Sequence, residues 1–407
     1  MKEILVSAYG CEPLKGSEAG VGWNWVLQMS RYAKLHVITR ANNKELIEQY
    51  LPAEVSQNIK FYYYDTPACI MGLKKKAKGL YFYYFCWQLG IMPLVRRINK
   101  RNAIDYNMHL TFGSMWMPTF LPFSRTPFLW GPIGGGDCEP ISFIKTLGLK
   151  QRIMQYSRYA MIAFSFLHPS ILIPALRAKK IICRTENSAK VIPFFLRNKT
   201  IVMLETAMEG DVFNYHRNKD RISKKIRFIT TGRLMASKNI LTAVRALAFL
   251  PQTTDYIYTI IGSGPQRKTI EKEAEKLGIS DKVEIISEMS RTEVLKKLEK
   301  GDVYLFPSLR EGGSWALMEA MVIGLPVICL DWAGMKCTVD DKCAIKLPVT
   351  SPKQMPIDMK NAIVKLINNP DLRTQMGEAG RERIRSVFNW NSKGVFFEKI
   401  LKELDNQ

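Results

Sequence analysis

The sequence is poor in the residues on which several classes of protein depend. Its 407 residues include four histidines and eight scattered cysteines, with no Cys-x-x-Cys pair and no spacing typical of metal ligands. A disulfide framework is therefore not indicated, and free thiols in a reducing cytosol are expected. The metal-binding motif Asp-x-Asp is also absent, so no metal site is predicted.

Long uninterrupted apolar runs are missing as well. The two longest, residues 79–95 and 159–176, are interrupted by glycine or proline. Both fall short of the roughly 20 clean residues that a membrane-spanning helix needs. The first apolar run is short and ends at Gly10, which predicts a first strand and not a signal peptide. No transmembrane segment is therefore predicted.

Acidic residues are scarce in two stretches. None occurs between Thr66 and Ile104 or between Pro140 and Thr185, and the formal net charge is +22, of which +15 lies in residues 1–205. Such a basic surface attracts anionic lipid, nucleic acid or a phosphorylated substrate. The chain is 47% apolar, which excludes wholesale disorder, and its length suits two domains.

One basic stretch, residues 74–101, also contains many aromatic side chains. Lysines within residues 74–78 precede an aromatic run at 79–87, and further cations close the stretch at 96–101. This pattern is typical of a helix lying on an anionic membrane, and a core helix with solvated ends is an equal alternative. Nucleic-acid binding is less favoured, because no sequence typical of an RNA-binding or helix-turn-helix module is present. The expected partner is an anionic membrane surface, and no nucleic acid is expected.

Strand-like and helix-like segments alternate along the chain, which predicts an α/β fold with parallel strands. The first strand, residues 4–8, is followed by a predicted glycine-rich loop at 9–22 and a helix from Trp23. Glycines at such a junction let the backbone bend or admit a ligand, although ordinary turns use them too. A polar, highly charged stretch at 216–225 is the predicted linker between two domains.

Two cations follow a predicted strand near residue 231. Gly232 begins a turn, and Arg233 and Lys238 lie five positions apart. Ligands of open α/β sheets bind at the carboxyl ends of strands, where Arg can hold a phosphate with two hydrogen bonds and Lys supplies a point charge. The alternative is a pair of solvated bases before a helix.

A second glycine turn, with Gly262 and Gly264, superficially resembles a dinucleotide fingerprint. It lacks the third glycine of that motif, and no acidic residue follows at the end of the next strand. We interpret it as a tight strand–helix turn.

Residues 306–334 carry the most informative pattern. A predicted buried strand is followed by a loop and by a helix at 315–323, whose free amides form an anion site suited to a diphosphate. Glu311 in the loop and Glu319 in the helix can accept hydrogen bonds from sugar and ribose hydroxyls. A surface glutamate and an ordinary helix glutamate are the alternative. The remaining candidates of the loop and the helix start are Gly312, Gly313, the cap Ser314 and Trp315.

The spacing Glu-x7-Glu within REGGSWALMEAMVIGLPVI closely resembles the retaining family 4 glycosyltransferases of the GT-B fold, the glycosyl transferases group 1. The segments GRLMASKN and IGSGPQRKTIEKEAEKLGISDKVEII resemble the same family, as does the Phe-x-Trp of residues 388–390. The segment GSEAGVGWNW resembles a subgroup that builds bacterial surface polysaccharides. The resemblance is close over residues 226–400, weaker over 1–135 and thin over 136–200.

The resemblance implies an α/β fold of the GT-B type. Two Rossmann-like domains would face a central cleft, and a C-terminal helix would cross back to the first domain. The implied divisions are an acceptor-binding domain at 1–215, a nucleotide-sugar-binding domain at 216–385 and the closing helix at 386–407.

The resemblance also implies a role for each matching residue. Arg233 and Lys238 would hold the donor diphosphate, Glu311 would contact the donor sugar, and Glu319 the nucleotide ribose. His109 matches the second histidine of an Asp-x-x-His-His-x-Thr-Phe pattern near the reacting sugars, with Met108 in place of the first; a lone histidine is more often structural. The other implied donor-binding or acceptor-binding residues are Gly20, Gly22, Gly232, Gly262, Gly264, Gly312, Gly313, Ser314 and Trp315.

The implied activity is metal-independent transfer of a hexosyl group, with retention, from a nucleotide-diphosphate sugar to an acceptor hydroxyl. UDP or GDP would be the nucleotide, with no other cofactor. The acceptor would be lipid-linked or part of a lipopolysaccharide, capsule or exopolysaccharide, reached at the inner face of the cytoplasmic membrane by a cytoplasmic, peripheral protein. The alternatives are a non-catalytic basic protein that binds anionic membrane or nucleic acid, and a nicotinamide-dependent oxidoreductase.

Overall fold

Two parallel β-sheets organise the chain. A computed structural model describes residues 1–72, 79–208, 210–217 and 225–406. The chain divides into a first unit, made of Met1–Gly136, Ala160–Glu205 and Trp390–Gln407, and a second unit, made of Asp137–Tyr159 and Thr206–Asn389. The main division thus falls at Glu205 and not at 215, and Asp137–Tyr159, predicted to lie within the first domain, belongs to the second unit.

The sheet of the first unit has seven strands that pair in parallel. Apolar runs such as Ile4–Val6 are wholly buried, because helices cover both faces of a parallel sheet. The order across the sheet is β3-β2-β1-β4-β5-β6-β7. The strands are β1 (Lys2–Ser7), β2 (Ala33–Thr39), β3 (Ile59–Tyr63), β4 (Tyr106–His109), β5 (Phe128–Ile133), β6 (Ala178–Cys183) and β7 (Thr200–Val202).

The sheet of the second unit has six parallel strands in the order β10-β9-β8-β11-β12-β13. The predicted α/β class is therefore confirmed. The strands are β8 (Ile226–Thr231), β9 (Tyr256–Ile261), β10 (Val283–Ile286), β11 (Val303–Phe306), β12 (Val327–Leu330) and β13 (Ala344–Leu347).

Helices lie in most of the connections between successive strands, since parallel pairing needs a crossover, and the last three helices follow the final strand. No helix among the described residues is both long enough and apolar enough to cross a membrane. In chain order the helices are α1 (Ser17–Met29), α2 (Lys44–Tyr50), α3 (Ala53–Ser56), α4 (Ala68–Met71), α5 (Leu80–Gly90), α6 (Met92–Arg101), α7 (Ile141–Ile144), α8 (Leu149–Ala163), α9 (Pro169–Arg177), α10 (Glu186–Val191), α11 (Ile240–Ala248), α12 (Arg267–Lys276), α13 (Arg291–Glu299), α14 (Trp315–Ile323), α15 (Ala333–Thr338), α16 (Met355–Ile367), α17 (Pro370–Val387) and α18 (Trp390–Asp405).

Each sheet has one point at which the strand order reverses. In the first sheet it lies between β1 and β4, and in the second between β8 and β11. Connections leave these neighbouring strands toward opposite faces, so a crevice forms outside their carboxyl ends, and ligands of open α/β sheets bind there. A ligand site is therefore expected among the residues that follow β1, β4, β8 and β11.

The predicted loop at residues 9–22 is wrong in its second half. Helix α1 already begins at Ser17, so Gly20 and Gly22 lie inside a helix and are buried. A Cβ added at Gly22 would lie 2.0 Å from the Gly10 oxygen and 2.6 Å from Thr111 Cγ2. Gly22 is therefore glycine because α1 packs closely on the connections after β1 and β4.

The aromatic helix expected near residue 80 is α5, and its amphipathic character has a structural basis. Tyr83, Tyr84 and Trp87 are buried in the core of the first unit, whereas Tyr81 and Phe82 are exposed. The core-helix alternative therefore holds for one face, and the other face remains available for a partner. The predicted basic cluster at 74–78 lies outside the described residues.

Helix α18 ends the chain and packs against α1 within the first unit. This agrees with the predicted return of the C-terminal helix to the first domain. Its Lys393 is fully buried, with Nζ 3.3 Å from Met203 Sδ. Burial lowers the pKa of Lys393 to about 8, and the negative charge of Glu205 opposes this effect.

Stability is therefore expected to depend on the protonation of Lys393. The unfolded chain holds this proton up to pH 10.5, its ordinary pKa, whereas the folded protein releases it near pH 8. Because the unfolded state binds more protons in this window, the free energy of unfolding rises as the pH rises through it. Relative to Lys393→Met, wild-type stability should increase by roughly 3 kcal/mol across the window, measured by urea denaturation at a series of pH values. A difference independent of pH would contradict this prediction.

Candidate functional site

The connection after β8 supplies two cations at the reversal point of the second sheet. Arg233 is exposed directly after the strand, and Lys238 ends a short 3-10 turn, Ala236–Lys238. The Lys238 ammonium lies 5.4 Å from the centre of the Phe306 ring and pairs with the Glu311 carboxylate. Among the described residues, the Arg233 guanidinium has no ion pair. One cation is thus held in place by an acid, and the other remains open for an anionic ligand.

The connection after β11 is bonded to the connection after β8. The Leu309 amide donates to the Ser237 oxygen at 2.8 Å, and Ser308 Oγ donates to Glu311 Oε1 at 2.8 Å. Glu311 Oε1 therefore accepts hydrogen bonds from both Ser308 and Lys238. These contacts place Glu311 and Lys238, which are far apart in sequence, at one point of the sheet edge.

Helix α14 begins beside this pair, as predicted. Ser314 caps it, with Ser314 Oγ accepting a 3.4 Å hydrogen bond from the Leu317 amide, and Gly324 ends it in a left-handed conformation.

Gly312 and Gly313 precede the cap. A Cβ at Gly313 would lie 2.0 Å from Thr206 Oγ1, so this glycine allows close packing. The indole nitrogen of Trp315, the first helical residue, is buried without a hydrogen-bond partner among the described residues. The positive end of α14 thus points at the edge where Lys238 lies.

Glu319 occupies a separate position on α14. Its Oε1 accepts a 2.8 Å hydrogen bond from Arg291 Nε at the start of α13, and no ion pair joins it to Lys238 in the part of the chain that the structure describes. Both carboxylates lie near the Tyr304 phenol and influence its pKa. Burial is the main cause that raises this pKa, and hydrogen bonds from Thr231 lower it. The negative charges of Glu319 and Glu311 raise it further. The two predicted acids therefore share one end of the sheet without touching the same cation.

The predicted glycines of the second unit differ in what they do. Gly232 has open space around its Cβ position apart from the end of the Lys238 side chain, 3.8 Å away. Gly262 has φ +150°, and a Cβ there would lie 2.0 Å from the Gly232 oxygen. A Cβ added at Gly264 would lie 2.5 Å from the Leu234 oxygen. Gly262 and Gly264 thus let the turn after β9 pack against the connection that carries Arg233 and Lys238.

The predicted site residue of the first unit, His109, is buried at the end of β4. Only 2% of it is exposed, Nε2 lies 3.4 Å from the Phe112 oxygen, and burial lowers its pKa to about 4. The imidazole is therefore neutral at pH 7. It lies beneath the edge of the first sheet and is not open at its surface.

A charged cluster that the sequence did not indicate lies near His109, whose pKa is lowered chiefly by burial, raised by the charge of Glu18 and lowered by that of Arg184. Arg184, just after β6, lies 3.2 Å from Glu18 and 3.4 Å from Glu205. A Cβ at Gly113 would lie 2.2 Å from Arg184 Nη2, so the guanidinium fills space that this glycine leaves. The three charged residues are far apart in the chain, so their sequence positions did not indicate a cluster. The feature of the sequence that could have indicated it is the pair of glycines, Gly113 and Gly134, that pack against Arg184.

The segment Asp137–Tyr159 is a second feature that sequence reasoning missed. Trp332 Nε1, just after β12, donates to the Cys138 oxygen at 2.9 Å, and Ser142 Oγ donates to the Thr350 oxygen, after β13, at 2.9 Å. Burial lowers the pKa of Arg310, with Arg158 adding to the effect and Glu139 opposing it. The segment therefore covers the carboxyl edge of the second sheet beside the loop that holds Glu311. The feature of the sequence that could have indicated this contact is Trp332, a large side chain in the turn after β12.

Of the predicted residues, the structure brings together Lys238, Glu311 and Gly232, with Arg233 exposed next to them. Ser314 and Trp315 begin the helix beside this group, and Glu319 lies further along that helix with Arg291. Gly262 and Gly264 pack against the connection that carries Arg233 and Lys238. Gly20, Gly22 and His109 belong to the first unit and are buried there. An exposed guanidinium, a paired ammonium and a helix N-terminus at a reversal point are suited to a phosphorylated ligand with hydroxyl groups.

Comparison with known proteins agrees with this arrangement. The family model described as glycosyl transferases group 1 matches residues 212–383. An uncharacterized glycosyltransferase of Methanocaldococcus jannaschii is 25% identical over 221 residues, which are 53% of this chain and 54% of that protein. The amylovoran biosynthesis glycosyltransferase AmsK of Erwinia amylovora is 28% identical over 36% of this chain and 37% of its own. The chain thus spans about half, or less, of the length of these relatives.

Among solved structures, Anabaena HepE in complex with UDP is similar over 100% of both chains, with a TM-score of 0.60 and 14% identity. At this identity the likeness concerns the fold, which is GT-B as predicted. The likeness to the glycosyl transferases group 1 thus covers residues 212–383, and the likeness to solved GT-B structures covers the whole chain.

Proposed function

We propose that the protein transfers a glycosyl group from a nucleotide-diphosphate sugar to an acceptor hydroxyl. The observation that carries the proposal is the grouping of Lys238, Glu311 and the exposed Arg233 at the reversal point of the second sheet, beside the start of α14. This group lies within the part of the chain that matches the family. HepE, which has the same fold, was solved with UDP, and this supports a nucleoside diphosphate as the ligand.

The proposed chemistry depends on charge. Cleavage of the bond between the anomeric carbon and the diphosphate places negative charge on the departing diphosphate and positive charge on the sugar. Arg233, Lys238 and the amides at the start of α14 stabilise that departing anion. They supply the charge that a divalent metal supplies elsewhere, which favours a metal-independent reaction with no cofactor beyond the nucleotide sugar.

Glu311 is proposed to position the donor sugar, and Glu319 the nucleotide ribose. Ser308 and Lys238 both contact the same Glu311 oxygen, so the carboxylate is held in one orientation and its other oxygen can accept a hydrogen bond from a sugar hydroxyl. For the retaining course that the family resemblance implies, a diphosphate oxygen takes the acceptor proton on the face from which the diphosphate leaves. Glu311 is then a sugar-binding residue and not a nucleophile.

The proposed acceptor is lipid-linked or part of a bacterial surface polysaccharide such as lipopolysaccharide, capsule or exopolysaccharide. The name of AmsK, an amylovoran biosynthesis enzyme, supports this class. The net charge of +22 and the exposed Tyr81 and Phe82 of α5 support a peripheral position on an anionic membrane, at its cytoplasmic face.

A panel of nucleotide sugars tests the proposed function. The purified protein is incubated with UDP-, GDP- and ADP-linked hexoses, and release of the nucleoside diphosphate is followed. Release from at least one UDP or GDP sugar is expected, and no release from any member of the panel would refute the proposal.

Vesicle flotation tests the membrane proposal separately. At low salt the protein should float with vesicles that contain phosphatidylglycerol and remain at the bottom with vesicles of phosphatidylcholine alone. Replacement of the exposed Phe82 by serine should weaken flotation without changing release of the nucleoside diphosphate. No flotation with either vesicle would defeat the membrane proposal only.

A further inference from the structure

Glu18 lies at the reversal point of the first sheet. It belongs to the first turn of α1, which follows β1, and its Oε1 accepts a 2.6 Å hydrogen bond from the Gly113 amide, just beyond β4. The Gly10 amide, after β1, donates to Thr111 Oγ1 at 2.9 Å. Because β1 and β4 are the neighbours between which the strand order reverses, Glu18 reaches across the edge at which such sheets bind ligands.

The Glu18 carboxylate is fixed by more than one group. Arg184 Nη2 donates to the same oxygen, Oε1, at 3.2 Å. Arg184 is itself held, since its Nε donates to the Pro132 oxygen at 3.3 Å and its Nη1 lies 3.4 Å from Glu205 Oε1. Glu18 is thus held directly by groups that follow β4 and β6, and the second of these is itself fixed by Pro132 and Glu205.

Glu18 has the most exposed side chain of this cluster. Its side chain is 37% exposed, against 22% for Arg184 and 9% for Glu205. Its second oxygen, Oε2, accepts no hydrogen bond from the residues within the described ranges. A fixed carboxylate with one free oxygen is suited to accept a hydrogen bond from a ligand hydroxyl.

Aromatic rings flank the hydrogen bond between Glu18 and Gly113. Phe112, the residue before Gly113, has the unusual φ of +62°, and its ring stacks on Tyr84 at 3.8 Å between centroids. Tyr81, which is 59% exposed, meets the Phe112 ring edge-on at 6.2 Å. A bulky residue in the left-handed region is costly, and such strain tends to cluster at functional sites. An aromatic ring beside a carboxylate suits a sugar, whose apolar face can pack on the ring while its hydroxyls donate to the acid.

We propose that Glu18 is an acceptor-binding residue, whose free oxygen accepts a hydrogen bond from a hydroxyl of an acceptor sugar packed against Phe112 and Tyr81. The inference rests on the proposed glycosyl transfer and adds a residue that binds the acceptor. It assigns to Glu18 no part in binding or cleaving the donor.

The test compares transfer with hydrolysis in the full-length protein. Octyl β-D-glucoside, octyl β-D-galactoside and octyl α-D-mannoside are the acceptor probes, with a nucleotide sugar that the wild type cleaves. Slow release of the nucleoside diphosphate without a glycoside reports the donor site alone. Glu18→Gln should lower kcat/KM for the glycoside on the order of 10- to 100-fold, the loss expected for one charged hydrogen bond. Hydrolysis without glycoside should stay within about twofold.

Glu54→Gln is the matched control. Glu54 lies in the first turn of α3, is exposed, and precedes β3, so it lies away from the carboxyl edge of the sheet. Transfer by this variant should equal that of the wild type. If Glu18→Gln fails to fold, Glu18→Asp replaces it: the charge remains, the reach is shorter, and KM for the glycoside should rise while hydrolysis is retained.

The outcomes separate the two proposals. Equal losses of transfer and hydrolysis, or no loss of either, would overturn the role of Glu18. Hydrolysis by the wild type with no transfer to any glycoside would also overturn it and would leave the donor function standing. A wild type that cleaves no nucleotide sugar would refute the proposed function itself.

Discussion

Replacement of Lys238 by alanine is expected to lower kcat for glycosyl transfer by about 10²- to 10³-fold. The ammonium lies at the reversal point of the second sheet, held by Glu311 and above the Phe306 ring, where a departing diphosphate gathers negative charge. Its stabilising effect is greatest when that charge has developed, so the loss should appear in kcat more than in KM. Steady-state kinetics with the best nucleotide sugar of the panel measures it.

Lys272→Ala is the control for this prediction. Lys272 is an exposed lysine within α12, away from the connections that carry Arg233 and Glu311, and the substitution removes the same charge. Its kcat should match the wild type. A Lys238→Ala protein that folds and retains the full rate would show that Lys238 does not stabilise the departing diphosphate.

The substitution Gly262→Ala should destabilise the second unit by about 3 kcal/mol or more, since overpacking would add to strain in the backbone. The added methyl would lie 2.0 Å from the Gly232 oxygen, and a backbone oxygen cannot move aside as the end of a side chain can. The connection that carries Arg233 and Lys238 would therefore be displaced. Urea denaturation followed by circular dichroism measures the change, and release of the nucleoside diphosphate should fall in parallel.

Gly278→Ala distinguishes overpacking from backbone strain alone. Gly278 also has a positive φ, +69°, but no atom lies within 4 Å of its Cβ position. Its alanine variant should lose only about 1 kcal/mol, the usual cost of a side chain in a left-handed conformation. Equal losses at the two glycines would contradict the packing role of Gly262.

The features of the second unit that the sequence predicted depend on local patterns. The strand that ends near Phe306, the cap Ser314 and the end of α14 at Gly324 follow from burial periodicity, capping chemistry and the left-handed preference of glycine. Arg233 and Lys238 are close in sequence and follow a predicted strand. Their position at the carboxyl edge of the sheet, where ligands of open α/β sheets bind, could therefore be predicted from the sequence alone. The contact of Lys238 with Glu311 depends on the pairing of β8 with β11, which only the structure shows.

The features that were missed depend on contacts between distant parts of the chain. Gly20 and Gly22 resembled loop glycines, because glycine is used both where a backbone turns and where two elements pack closely. Asp137–Tyr159 follows a strand of the first unit, yet its hydrogen bonds connect it to the second. Glu18 and Arg184 lie in separate segments with no shared pattern, and nothing in the sequence joins them.

The central claim is that the C-terminal unit holds a sugar-bearing diphosphate between Arg233, Lys238 and the start of α14. Isothermal titration of UDP and GDP into the wild type and the double variant Arg233→Ala/Lys238→Ala tests it most directly, with both proteins shown to be folded by thermal melting. At least one nucleoside diphosphate should bind the wild type, and the double variant should bind it about 100-fold more weakly, since two charge-assisted interactions are lost. Equal affinity of both proteins, or no binding to the wild type, would contradict the account.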